Sequence, residues 1–290
     1  MIDIVPSLIA DLAHALTAAA KHPIRAKEDA LFEEWVEKRP KRNPFTTDGC
    51  AVPEAFEKSH CKIVFVLKER NWDYTIEAQR AHAEQQSDLS ERLKELRADR
   101  ERETFDGWWT LMAQWAEALL SKEPADWREI QSRFEPALSM TPEENDRGSW
   151  IRIRNKESLG KCACVQLKKA PGGGTMNKAD FDMIVREDRD LILRQFSIYA
   201  PDFIVSCGSS DNWNVFRYTL FPKSEVKWTR NGIQYFIASS PDNGLGKTAV
   251  INFGHPSMRV NNSLWGVLAL GLREALDEIS LSGQLRQSSS

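Results

Sequence analysis

Residues 61–67 read CKIVFVL, a short apolar run with three β-branched side chains. Such a run is long enough for a buried strand and too short for a buried helix. Runs of the same kind recur at 161–167 (KCACVQL), 201–208 (PDFIVSCG) and 248–253 (TAVINF). Mostly helical patterns separate them, so we predict a mostly parallel sheet with helices on both faces.

The segments between these runs carry helical patterns. Residues 105–120 are apolar at helical spacing and contain three tryptophans, which favours a helix packed on the core. Residues 177–199 form one predicted helix with Asn177 as its N-cap, and residues 263–279 form a closing helix. The predicted fold class is therefore α/β: a three-layer α/β/α sandwich with a short, mostly parallel central sheet.

The chain is predicted to form one principal domain with additions. Residues 1–60 form an N-terminal helical segment packed on the core, and residues 61–281 form the α/β domain. A helical insertion spans residues 73–135, and its charged part, 73–105, is typical of a solvated helical arm. The serine-rich tail, residues 282–290, is predicted to be disordered.

Two short motifs precede the last strand. Residues 224–239 predict a β-hairpin, because Asn231-Gly232 between alternating runs favours a type I′ turn. The Gly-Lys-Thr that follows suggests a phosphate loop, but Pro241 stands where that loop needs its first glycine. A phosphate loop also connects a strand to a helix, so a nucleotide hydrolase is disfavoured and Lys247 is predicted to be a surface loop residue.

The composition is that of a soluble globular protein: 290 residues, 41% apolar and 28% charged, with a formal net charge of −3. That charge argues against a broad basic surface for nucleic acid. The chain contains no run of about 18 apolar residues, so we expect no membrane span. Its N-terminus has no positive segment before an apolar one, which argues against a signal peptide.

The five cysteines indicate a reducing environment. Their number is odd and most lie in or beside apolar runs, as is typical of buried thiols in a cytoplasmic protein. The pair Cys162 and Cys164 has no partner pair at the spacing of a metal site. We therefore expect a cytoplasmic monomer without metal or cofactor.

Polar residues follow the carboxyl ends of the predicted strands: Glu69, Lys168, Ser209 and His255. In open α/β sheets, ligands bind at these ends. Taken alone, Glu69 could simply pair with a neighbouring lysine or arginine, and His255 could be a structural histidine. Together they indicate a site for chemistry.

The loop KKAPGGGTMN, residues 168–177, is a candidate for binding a polyanion. Its glycines allow backbone N–H groups to approach a phosphate, and a predicted helix begins directly after it. Residues 147–169 contain seven basic side chains and one acidic side chain, a local bias that the net charge conceals. The alternative is a flexible loop beside a solvated run of charges.

Four segments together resemble the uracil-DNA glycosylase superfamily. IVFVLKERN (63–71) is similar to the family's first motif, and FGHPSMR (253–259) matches its His-Pro-Ser motif closely. VQLKKAPGGG (165–174) resembles the strand that presents a base-reading amide. LILRQFSIYAPDFIVSCGSS (191–210) resembles a helix–Pro–strand–Gly segment of the family. The resemblance implies a three-layer α/β/α fold with a short parallel sheet, and a DNA glycosylase that needs no metal.

The resemblance also implies roles for individual residues. Glu69 would orient water and stabilise the sugar cation, while His255 would donate a hydrogen bond to the departing base. The base-binding candidates are Gln166, Trp72 and Asn71. The DNA-binding candidates are Lys168, Lys169, Gly172, Gly173, Gly174, Ser209, Ser257, Met258 and Arg259.

The substrate and the class of protein stay open at this point. The family's usual Gly, Pro and Asn are Leu67, Arg70 and Gln166 here, so the flipped base is either uracil-like or modified. A modified base found in phage DNA would make the protein an antiviral defence enzyme, whereas a damaged base would make it a repair enzyme. The alternative is a catalytically silent nucleic-acid-binding module of the same fold.

Overall fold

Seven strands form one sheet in the part of the chain that the computed structural model describes. The described residues are 22–39, 48–67, 108–121, 126–134, 154, 157–169, 178–208, 210–254 and 262–282. The strands are β1 (Gly49–Cys50), β2 (Ile63–Leu67), β3 (Ala163–Gln166), β4 (Phe203–Cys207), β5 (Lys227–Trp228), β6 (Gln234–Ser240) and β7 (Leu245–Phe253). Their order is β1-β3-β2-β4-β7-β6-β5, with β3, β2, β4 and β7 parallel and the outer pairs antiparallel.

Helices cover both faces of this sheet. They include α1 (Pro23–Lys38), α2 (Pro53–Lys58), α3 (Trp108–Leu120), α4 (Trp127–Ser132), α5 (Lys178–Glu187), α6 (Arg189–Tyr199), α7 (Ser210–Val215) and α8 (Asn262–Leu281). The core of face A contains side chains from α1, α2, α5, α6 and α7, and the core of face B contains side chains from α3, α4 and α8. The predicted three-layer α/β/α sandwich is confirmed.

The four predicted core strands are present, and they are buried as expected. Every residue of β2 and β4 is buried, because each strand has a neighbour on both sides and helices above and below. The tryptophan-rich helix α3 packs on face B through fully buried side chains such as Met112 and Trp115. Strand β7 begins earlier than predicted, at Leu245. Lys247 therefore lies on an exposed position of a strand and not in a loop.

Two local predictions are wrong in detail. The single helix predicted over 177–199 is two helices, α5 and α6, with a break at the buried Asp188, whose carboxylate accepts a hydrogen bond from the Arg39 Nε at 2.8 Å. The hairpin between β5 and β6 forms, but its turn is not type I′. Gly232 has φ +80°, whereas Asn231 is not among the described residues with positive φ, so the loop is a three-residue turn closed by the glycine.

The N-terminal segment shares the core of the sheet. Helix α1 buries Leu31, Phe32 and Trp35 in face A, and β1 pairs antiparallel with β3. Predictions for residues 1–21, the charged arm at 73–105, the Asn177 cap and the tail after residue 282 lie outside the described residues. Among those that are described, no helix is long and apolar enough to cross a membrane.

Gly49 meets a requirement that no other residue type can satisfy. Its φ is +112°, and a Cβ there would lie 2.1 Å from the Tyr199 hydroxyl and 2.3 Å from a carboxylate oxygen of Glu28. Both side chains are buried and hydrogen-bonded to each other at 2.8 Å. The backbone of β1 can therefore approach this buried pair only at a glycine.

We expect G49A to lower the free energy of unfolding by about 3 kcal/mol, because overpacking adds to the strain of positive φ. G232A is the matched control: φ there is +80°, but nothing lies within 4 Å of the added Cβ. That control should lose only about 1 kcal/mol. Equal losses in urea unfolding of the two variants would contradict the close approach at Gly49.

Helices α1 and α6 are joined by a bidentate ion pair that should make stability depend on pH. Both guanidinium nitrogens of Arg194 donate to Glu34 at 2.7 Å, and these hydrogen bonds, followed by one from Lys38, lower the pKa of Glu34 from 4.5 to about 2. A carboxyl group whose pKa is lowered by folding stabilises the fold at pH values above its pKa in the unfolded chain. That stabilisation is lost as the pH falls through its pKa in the folded protein.

The wild type should therefore be more stable than E34Q by about 0.5 kcal/mol near neutral pH, since the pair is partly exposed. The difference should shrink as the pH falls from 4.5 to about 2. Urea unfolding across this pH range measures it, with E33Q, an exposed neighbour on the same helix, as the control. A difference that persists at the lowest pH would show that Glu34 acts by something other than its charge.

Candidate functional site

The carboxyl ends of four parallel strands meet at one edge of the sheet. Leu67 of β2 is in register with Gln166 of β3 on one side and with Cys207 of β4 on the other. Cys207 is in turn in register with Phe253 of β7. The four strands therefore end at the same level, and the residues that follow them leave the sheet along a single edge.

The chain connections place a topological switch point at this edge, between β2 and β4. The helices next described after β2 are α3 and α4, on face B, whereas β4 is followed by α7, on face A. Neighbouring parallel strands whose connections go to opposite faces form a topological switch point, which is where open α/β sheets bind ligands. Leu67 and Cys207 are the last residues of the two strands that flank this switch point.

Most of the predicted site residues lie outside the described residues. Of the predicted set, the described residues include only Gln166, Lys168 and Lys169. Those outside are Glu69, Asn71, Trp72, Gly172, Gly173, Gly174, Ser209, His255, Ser257, Met258 and Arg259. Their assignments stay predictions.

Gln166, the predicted base reader, is the last residue of β3 at the carboxyl edge of the sheet. Its neighbours Val165 and Leu167 belong to the face A core, so the alternation of the strand turns Gln166 toward face B. The side chain is half-buried, and its Oε1 is buried without a hydrogen-bond partner among the described residues. Its backbone N–H donates to the Asp48 carboxylate at 2.6 Å. A buried carbonyl with no partner can accept a hydrogen bond from a ligand.

Lys169 lies buried in an ion pair, which argues against its predicted role in holding a phosphate. The side chain is only 2% exposed, and its ammonium donates to the Asp48 carboxylate at 2.5 Å. The rings of Phe32 and Trp35 lie 5.7 and 5.2 Å from the same nitrogen. The positive charge is therefore held inside face A.

Some of the basic side chains within residues 147–169 also form ion pairs within the fold. Arg154 forms ion pairs with Glu117 at 3.0 Å and Glu157 at 3.1 Å, and its guanidinium stacks on Phe134. Lys168, in contrast to Lys169, is half-buried. The count of basic residues in the sequence therefore overstates the positive charge available to a polyanion.

Polar side chains of three neighbouring strands, one buried and two half-buried, lie on face A just below the carboxyl edge, and the sequence analysis missed them. Ser206 of β4 is in register with Asn252 of β7, whose Nδ2 donates to the Gln234 Oε1 of β6 at 3.1 Å. Ser206 is 1% exposed, and its hydroxyl has no hydrogen-bond partner in the described part of the chain. The signal was a polar residue inside two of the apolar runs, Ser206 in the run of β4 and Asn252 in that of β7.

Asn212 is the second residue that the sequence analysis missed. It lies on α7, is 0% exposed, and neither its Oδ1 nor its Nδ2 has a hydrogen-bond partner among the described residues. The amide lies directly on Gly208 at the end of β4, where a Cβ would be 2.3 Å from the Nδ2. Burying an amide without hydrogen-bond partners costs free energy of folding. Asn212 is therefore a candidate for contact with a ligand at the switch point.

Face B closes the edge with apolar side chains. Trp115 of α3 meets Phe253, the last residue of β7, edge to face at a ring separation of 5.1 Å. Both residues are buried beside Leu67 and Cys207 in the same cluster. An apolar wall beside a few polar groups is the usual lining of a small-molecule site.

A cavity of about 610 Å³ lies at the opposite, amino edge of the sheet. Its walls include Lys62, Lys247 and Arg273 together with Asp202 and Asp277. The Lys62 ammonium donates to three backbone carbonyls around the end of α2, and the Arg273 guanidinium binds Asp277 and the carbonyls that end α3. Lys62 and Arg273 thus stabilise the fold by binding neighbouring segments of the chain, which argues against a catalytic role for this edge.

Neither metal binding nor a reactive thiol is indicated in the described part of the chain. It contains no group of three or more side chains able to hold a metal ion. All five cysteines are free, and burial raises the pKa of Cys162 and Cys207 well above the usual value. Burial likewise raises the pKa of Cys61 to about 12, so these thiols stay protonated and unreactive at neutral pH.

Comparison with known proteins gives no match: no family model, no curated protein and no solved structure matches this chain. What can be inferred about its chemistry therefore comes from its own residues and their arrangement.

Replacing Asn212 by leucine, which has a similar size and no polar atoms, should stabilise the fold by about 1–2 kcal/mol in urea unfolding. The reason is that the leucine removes a buried amide that no described residue satisfies. Q195L is the control: Gln195 is equally buried, but its Nε2 donates to Asp48 at 2.6 Å, so this variant should be destabilised. A destabilised N212L would mean that the amide has a partner in solution.

Proposed function

We propose that the protein is a DNA glycosylase that flips a uracil-like or modified base out of DNA and releases it by hydrolysis, leaving an abasic site. The observation that carries the proposal is the common edge of β2, β3, β4 and β7. Glu69, Ser209 and His255 each follow the last residue of their strand by two positions. Two residues of chain span at most about 7 Å, and neighbouring strands lie about 4.8 Å apart, which suits one shared site.

In the proposed reaction, water adds to the sugar carbon C1′ while the bond from C1′ to the base nitrogen breaks. The electron pair of that bond leaves with the base, and the proton released by the water passes to Glu69. Glu69 also stabilises the positive charge on the sugar, and His255 donates a hydrogen bond to the base as it becomes negative. Extrusion of the base from the helix costs a few kcal/mol.

Recognition of the base is assigned to the carboxyl edge of the sheet around the switch point between β2 and β4. The Oε1 of Gln166 has no hydrogen-bond partner among the described residues, which supports its role as the reader of the base edge. Trp72 would stack on the flipped base, with Asn71 beside it, and Met258 or Arg259 would fill the gap in the helix. Phosphates would be held by Lys168, Gly172–Gly174, Ser209 and Ser257, while Lys169 is left out because of its burial.

The proposed setting is the cytoplasm, with the protein acting as a monomer on DNA. The free thiols of all five cysteines support a reducing compartment. Neutral donors and backbone N–H groups at the edge are compatible with the net charge of −3. Such a surface suits a protein that samples DNA and commits only at a flipped base.

A base-release assay tests the proposal. Purified protein is incubated with uracil-containing oligonucleotides and, in parallel, with genomic DNA from phages that carry modified bases. Abasic sites are detected by alkali cleavage, and the freed base is identified by mass. We expect release by the wild type and a loss of at least about 100-fold in both E69Q and H255A, since each removes a group acting in the transition state.

The outcomes separate the alternatives. K247A is the control variant and should keep full base-release activity. A loss of activity in K247A would favour a nucleotide hydrolase. DNA binding by the wild type without any abasic site would identify a silent binding module of this fold. The mass of the freed base distinguishes repair of uracil or damage from defence against modified phage DNA.

A further inference from the structure

A single buried carboxylate, that of Asp48, receives three hydrogen bonds at the root of the candidate site. Its Oδ2 accepts from the Gln166 backbone N–H at 2.6 Å and from the Lys169 ammonium at 2.5 Å. Its Oδ1 accepts from the Gln195 Nε2 at 2.6 Å. Asp48 is 7% exposed, so these bonds replace water almost completely.

The bond to Gln166 stands where the sheet would otherwise lose its pairing. The ladder between β1 and β3 has two residue pairs, Gly49 with Cys164 and Cys50 with Ala163. One step further, the side chain of Asp48 satisfies the next free backbone N–H of β3, that of Gln166. The end of β3 is therefore set by a side chain and not by a continuing strand.

Lys169 closes the other end of the same short segment. Its ammonium returns to the Asp48 carboxylate and lies near the rings of Phe32 and Trp35 of α1. Residues 166–169 are thus held at both ends by one carboxylate.

A second buried carboxylate nearby has no such connection. Glu28 accepts from the Tyr199 hydroxyl at 2.8 Å, the Cys50 N–H at 2.8 Å and the Arg25 guanidinium at 2.9 Å. Burial, together with the negative charge of Glu28, raises the pKa of Tyr199 well above its usual value, so the hydroxyl stays a donor. Glu28 thus holds α1 to α6 and β1, whereas Asp48 alone of this pair holds the end of β3.

We propose that Asp48 is a positioning residue of the active site: it holds the end of β3 so that Gln166 presents its amide to the base. This inference rests on the proposed glycosylase function, because it assigns Asp48 a role in that reaction. Asp48 itself touches no substrate. Its effect passes through the backbone of Gln166, and a small displacement of a positioning group is enough to slow a reaction strongly.

The test compares two double variants that both lack the buried ion pair. Removing one partner of a buried pair leaves an uncompensated charge and endangers folding, so both charges are removed together. In D48N/K169M, the asparagine oxygen can still accept from the Gln166 N–H, with the Gln195 amide turned over to pair with the asparagine nitrogen. In D48L/K169M, no acceptor remains. The variants therefore match in charge and differ in the hydrogen bonds of residue 48 to the Gln166 N–H and to the Gln195 amide.

Two measurements are made on each variant: the hydrogen-exchange rate of the Gln166 amide, and kcat/KM for base release from the DNA that the wild type cleaves. We expect D48L/K169M to exchange this amide faster and to lose about 100-fold in kcat/KM. D48N/K169M should retain slow exchange and most of the activity. E28Q, which disturbs the neighbouring cluster, should leave the Gln166 amide protected.

Other outcomes overturn the inference in distinguishable ways. Fast exchange in D48L/K169M with unchanged kcat/KM would show that the position of Gln166 does not matter to the reaction. Equal losses of activity in both double variants would reduce Asp48 and Lys169 to a structural ion pair. A wild type that releases no base from any DNA would overturn the proposed function, and with it the role of Asp48 in catalysis.

Discussion

The parallel pairing of β2 with both β3 and β4 is the constraint on which the rest of the structure depends. All five residues of β2 and of β4 are buried, so both faces of the sheet must be covered by helices. Parallel strands must also be joined by crossovers, and the helices next described after β2 and after β4 lie on opposite faces. Together with the pairing of β4 and β7, the pairing of β2 brings Leu67, Gln166, Cys207 and Phe253 to one level, which makes a shared site possible.

Buried polar groups on face A fall into two classes with opposite physical meaning. Asp48 and Glu28 have their hydrogen bonds satisfied by named donors, so they stabilise the junction of α1, α6 and β1 with the end of β3. Asn212 and Ser206 lie just below the carboxyl edge, and their polar atoms have no partners within the described residues. Satisfied groups of this kind rigidify a fold, whereas unsatisfied ones tend to be retained for function. Both classes flank the ends of the strands that carry the predicted chemistry.

Several details could not be read from the sequence, and each has an identifiable cause. At the break at Asp188, Arg39, far away in the chain, pairs with that carboxylate and also donates to the Glu187 carbonyl, an acceptor that a continuous helix would use itself. The turn at Asn231-Gly232 closes with the backbone of Thr229 and Ile233, which selects a three-residue loop over type I′. The sequence predicts that Lys168 and Lys169 both hold phosphate, but the Lys169 ammonium pairs with the buried Asp48 carboxylate, a partner that no local pattern identifies.

The sequence by itself determined the four core strands, the helices between them, the α/β/α class and the polar residues that follow the strand ends. These follow from hydrophobic periodicity and local propensity, which act over a few neighbouring residues. Only the tertiary structure decided the strand order, the switch point between β2 and β4, the burial of Lys169 and the isolation of the Asn212 amide. The physical reason is distance along the chain: the partner of Lys169 is 121 residues away, and no local pattern specifies which carboxylate a buried ammonium will meet.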